Sequence, residues 1–173
     1  MEIKPSAVII AVLCVFGLRV LVHKIFDPTI YKTRVYTVSV PKDWKKEVDE
    51  SEVRFYSPAQ DPDTRQPEAV FSIFSYQSTD ALFIEDVMGE VLKSFEKANG
   101  HVKDHGDIIL DGVIAKWVLF ESTKPSLWIL SFFLVDDFNR LIRVQFMTSP
   151  EKFKYYRPDF ESWKDTIVFK KLF

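Results

Sequence analysis

The side chains best suited to chemistry in this chain are His101, Asp104, His105 and Asp107. Imidazole nitrogens and carboxylate oxygens ligate zinc and other divalent ions, and this grouping could hold one if the backbone curls it together. The four residues fall where a helix hands over to a strand, a kind of connection that is ordinarily polar because water covers it. A metal-dependent module or enzyme centred on His101 and His105 is therefore the rival reading.

Other chemistry is thinner. No G-x-S-x-G nucleophile motif occurs, and the third histidine, His23, lies beside an apolar segment. The acid pair Glu85-Asp86 faces away from a helix's apolar stripe, and Asp136-Asp137 sits in a turn, where Asp supplies backbone geometry. Neither has an evident partner for glycosidase-like work. The 5 Gly build no phosphate-cradling loop. Lys152, Lys154, Tyr155, Tyr156 and Arg157 form a basic-aromatic patch that could meet anionic headgroups or a protein, although a solvated helix face has the same composition. The single Cys14 excludes an internal disulfide and a multi-cysteine zinc site, and reads as a small hydrophobe in an apolar run. No catalytic residue and no cofactor is expected.

The elements that would position these groups start from residues 127–135, an apolar run interrupted only by Ser131. As a helix it would reach only about 13 Å, too short to cross a bilayer. Trp128, Ile129, Phe132, Phe133 and Val135 favour a strand, and because both alternating sides are apolar it should be covered on both faces. The 16 Phe, with 4 Trp and 6 Tyr, point to a sheet-rich aromatic core. Acidic and basic residues intermix to a net charge of −2, so nothing points to a nucleic-acid surface.

Residues 1–28 read as a membrane anchor ahead of a domain at 29–173. Lys4 precedes the uncharged run 7–18, and the apolar character resumes after Arg19 to residue 26. A helix over 7–26, with Ala7, Ile10, Leu13, Phe16 and Leu18 towards lipid, would span about 30 Å. A cleaved signal is the alternative, but no A-x-A-like site follows, and Val12-Leu13 before Cys14 make a poor lipidation site. A buried helix of a soluble domain is the plainest alternative. Arg19, Lys24, Lys32 and Arg34 follow the run, a bias that taken alone would keep the domain in the cytoplasm.

Beyond Pro28, period-two alternation predicts strands at 33–40, 52–57 and 69–76, with a polar, mobile loop at 59–67. Ile84, Val87, Met88, Val91, Leu92 and Phe95 make one stripe of a helix over 80–98, capped by Thr79 or Asp80 and stopped by Asn99-Gly100. An antiparallel meander follows, with strands at 105–110, 113–121, 128–135 and 141–147. Ser149-Pro150 starts a helix that Pro158 should divide in two, and 167–173 alternates as a last strand.

This order, with Val40-Pro41-x-x-Trp44, Phe55-Tyr56-Ser57-Pro58 and Asp159-Phe160-x-x-Trp163, resembles the PsbP-like superfamily over residues 33–173. The resemblance implies an α+β fold, an antiparallel β-sheet with helices packed on both faces, behind one N-terminal transmembrane or signal-anchor helix. It also implies a non-enzymatic module that docks onto a membrane-associated assembly, with an envelope protein or the membrane surface as partner. Many relatives are exported and tethered, so the domain is expected outside the cytoplasm, with the cytoplasmic orientation as the alternative. A recognition surface would lie at the 58–68 loop and the turns near 111 and 137.

Overall fold

The apolar strand lies inside a sheet. In a computed structural model describing residues 28–98 and 100–170, β8 (Ser126–Val135) is hydrogen-bonded between β7 (Val113–Thr123) and β9 (Arg140–Thr148). The sheet is completed by β3 (Lys45–Val48), β4 (Glu52–Tyr56), β5 (Ala69–Gln77) and β6 (Gly100–Leu110), in the order β3-β4-β5-β9-β8-β7-β6. A smaller sheet orders β1 (Pro28–Lys32), β2 (Tyr36–Pro41) and β10 (Val168–Phe169). Every strand pair is antiparallel, so with helices α1 (Ile84–Lys97) and α2 (Pro150–Lys164) the class is α+β.

Neighbouring residues on β8 go to different cores. Leu130, Phe132 and Leu134 join Phe71, Ile73, Val144 and Phe146, packed against Phe153, Phe160 and Trp163 of α2 and Tyr36, Val38 and Val40 of β2. Phe133 and Val118 form a second cluster with Met88 of α1, flanked by the rest of its stripe, Ile84, Val87, Val91, Leu92 and Phe95. Burying each large apolar side chain contributes about 1.5–3 kcal/mol. Phe146 stacks on Phe160 at 4.9 Å between ring centres. Ser131, wholly buried, is satisfied by Gln145 Nε2 at 3.0 Å.

Several expectations need correction. The strand expected at 33–40 starts at Tyr36 as β2, because Thr33 Oγ1 accepts the amides of Val35 and Tyr36 in a turn that joins it to β1, a strand the alternation did not announce. The charged, exposed edge strand β3 has no alternation to announce it. Helix α1 begins at Ile84, without a side-chain cap from Thr79 or Asp80. Those residues belong to a segment held by Asn139, whose Oδ1 accepts the Leu82 amide and whose Nδ2 donates to the Asp80 carbonyl. The 59–67 loop is a knitted turn, with Asp61 Oδ1 accepting the amides of Asp63 and Thr64 and a bridge from Gln60 to Pro67.

Pro158 does not divide α2, which runs through it as one helix. A proline there removes one helical hydrogen bond, and the buried face of Phe153, Tyr156, Phe160 and Trp163 on either side outweighs that loss. The last strand is only two residues, paired with β2 in the small sheet. The anchor residues Ala7, Ile10, Leu13, Phe16 and Leu18 lie outside the described residues. Among those described, no helix is long and apolar enough to cross a membrane.

Candidate functional site

The histidine cluster lies on β6, which starts five residues earlier than its alternation suggested. A bulge between Val102 and Asp104 breaks the period there. Gly100 is required at its start, since a Cβ would lie 2.0 Å from the Glu121 carbonyl oxygen. Extended backbone separates positions three apart by about 10 Å and turns neighbours to opposite faces. Asp104 pairs with Leu119, whereas His105 pairs with Val118 and Asp107 with Lys116, so the pairs share different faces. Among the described residues no three His, Cys, Asp or Glu side chains gather as ligands.

Each end of that cluster is tied to side chains of β7 instead. His101 Nε2 lies 2.9 Å from Glu121 Oε2, and Lys103 Nζ lies 3.0 Å from the same oxygen. Trp128 Nε1 donates to Oε1, and this bond, with that from Lys103, holds the Glu121 carboxyl below the ordinary carboxylate range. Lys116 Nζ reaches Asp107 at 2.8 Å and Glu85 at 3.7 Å, and the Asp107 bond raises its pKa.

The basic-aromatic patch of α2 is half used in packing. Lys152 Nζ meets Glu68 at 2.9 Å, and Tyr156, itself buried, donates its hydroxyl to the same carboxylate. These two bonds lower the Glu68 pKa; burial, then the bond to Glu68, pushes Tyr156 up to about 12. Arg157 pairs with Glu161 at 3.5 Å. Lys154 and Tyr155 remain exposed.

The structure gathers something the sequence analysis missed. Ile109 pairs with Ile114 across the β6–β7 hairpin, Val135 with Leu141, and Leu141 with Tyr76. Ile114 is one step beyond the Ala115–Leu134 pair, beside Val135. Opposed residues share a face, so these five form an apolar row across five strands, about 20 Å long. Ile109 is 70% exposed, Ile114 65% and Tyr76 54%; Phe83, at the start of α1, is 64% exposed. A groove of about 510 Å³ continues from Leu141 along α1, lined by Leu82, Phe83, Val87 and Val91. The doublet Ile108-Ile109 and Ile114 flanking Asp111-Gly112 was the available signal, but alternation alone does not say which face a helix covers.

Farther along the same side, the sheet carries polar residues where α1 does not reach. Glu52 holds Arg54 at 2.5 Å and stands 3.8 Å from Arg143, which lies against the Phe74 ring. Burial lowers the Arg143 pKa.

The chain matches no protein-family model and no curated protein. It is similar in structure to a Pseudomonas aeruginosa protein of unknown function suggested to be a regulator, with 21% identity, a TM-score of 0.60, and coverage of 82% of this chain and 96% of that one. It is also similar to the cyanobacterial PsbP (CyanoP) of Synechocystis, with 12% identity, a TM-score of 0.60, and coverage of 83% and 92%. Likeness at these identities establishes the fold, which is PsbP-like.

Proposed function

We propose that this PsbP-like chain is a non-enzymatic accessory module, anchored in a membrane by residues 1–28, that docks onto another protein of the cell envelope. One observation carries the reading: Tyr76, Phe83, Ile109 and Ile114 leave large apolar surface in water at one end of the sheet. Contiguous exposed apolar surface of this kind marks binding sites in soluble domains. Phe132 and Phe133, adjacent on β8, serve different cores, which supports a sheet with one helix on each face. In that architecture α1 shields only part of its side. The accessory role agrees with the PsbP-like neighbours, and in this reading the domain lies outside the cytoplasm as an exported, tethered module.

A photo-reactive residue introduced singly at Ile114, Tyr76, Tyr155 or Lys46 in the native cell tests the docking role. Protein crosslinks from Ile114 and Tyr76 alone are expected. Equal yields at all four positions, or none, would sink it. A reporter active on only one side of the membrane, fused after Phe173, tests the orientation.

A further inference from the structure

Exposed carboxylates outnumber free cations along the edge of the apolar row. Asp80, Asp86 and Asp137 stand exposed on the segments around it, and Glu85 and Asp107, 71% and 70% exposed, share the single cation Lys116. The cations among them are already engaged. Lys116 is 19% exposed and held by Asp107, and Arg140 is 13% exposed and bound to Asp136 through Nε at 2.7 Å. Lys93, beside the groove, pairs with Glu90 at 3.0 Å, and Arg143 faces Glu52.

We propose that this row and its groove receive a cationic amphipathic segment of a protein partner, large apolar side chains seated on Ile109, Ile114, Leu141 and Tyr76 with lysine or arginine over the flanking carboxylates. The inference rests on the docking role above and adds the chemistry of the partner. Complementary charge across an interface sets partner choice and association rate, while like charges repel. An anionic lipid surface meets the wrong potential here, and a second copy presenting the same face would set carboxylates against carboxylates. The row's length of about 20 Å suits about six residues of extended chain or a helix of about thirteen.

The probe is a short peptide alternating leucine and lysine, compared with its leucine–glutamate counterpart, on the full chain in zwitterionic nanodiscs. Binding of the lysine peptide at least tenfold tighter is expected, with amide shifts centred on Tyr76, Phe83, Ile109, Ile114 and Leu141. The double variant Ile109→Ser, Ile114→Ser should weaken it at least tenfold with an unchanged melting midpoint. Asp86→Lys with Asp137→Lys should reverse the charge preference, which separates the patch from generic attraction to an acidic protein. Equal affinity for both peptides, wild-type binding by the double variant, or protection of Ile114 by anionic vesicles or self-association would overturn the assignment. Crosslinking from Ile114 in cells, with no preference for the lysine peptide, would leave the docking role standing and overturn the charge assignment alone.

Discussion

The two clusters that share β8 differ in completeness. Around Phe132, aromatic rings from the main sheet, α2 and β2 close over one another, and Phe71, Phe146 and Phe160 have no exposed surface. Around Phe133, the helix α1 packs Met88 onto Phe133 and Val118 but leaves Ile109, Ile114 and Tyr76 in water. The first region has the make-up of a stability core, whereas the second leaves large apolar side chains in water and is the face proposed above for docking.

The largest test of that contrast is truncation. Phe160→Ala should cost about 3–5 kcal/mol in denaturant unfolding, since a ring is removed from a closed core. Phe95→Ala, stacked on Phe120 at 4.4 Å but only half-buried, should cost about half as much. Equal losses would erase the distinction.

Asn139→Ala should come next, at about 1–3 kcal/mol. It removes the bonds to Leu82, Asp80 and Ser78 and places alanine at a φ of 58°, a left-handed geometry that asparagine tolerates better. Faster amide exchange confined to the start of α1 would assign the loss to the half-open side. Uniform exchange would not.

Glu68 supplies a pH test on the closed side. Its folded pKa is lowered by Lys152 and Tyr156, so its stabilisation is present above the unfolded value and lost as pH falls through the folded one. Glu68→Gln should flatten the acid limb of the stability profile below about pH 4.5. An unchanged limb would remove this strap from the account of why α2 is seated firmly.

The smallest effect belongs to the exposed row. Ile114→Ser should change unfolding free energy by no more than about 0.5 kcal/mol, because the side chain is already in water. A loss above that would mean that the row is structural.

Much of the fold is legible in the residues. The α1 stripe, the meander and the two-sided strand at 127–135 follow from periodicity, because a residue's distance along the chain fixes its direction in a helix or strand. The site is less legible. The bulge after Val102 shifts the face of every later residue on β6, so His101 and Asp104 share one face of the sheet and His105 and Asp107 the other, although the four look clustered in sequence. Pro158 looks like a helix break until Phe153 and Phe160 are seen buried on either side of it.

Local spacing thus determined which residues alternate and which form a stripe, since those depend only on backbone geometry. Only the tertiary structure decided that α1 stops short of Ile109 and Ile114 and that the nearby cations are taken by Asp107 and Asp136. Those facts depend on contacts between segments far apart in the chain, and no local pattern encodes which of two apolar faces is left uncovered.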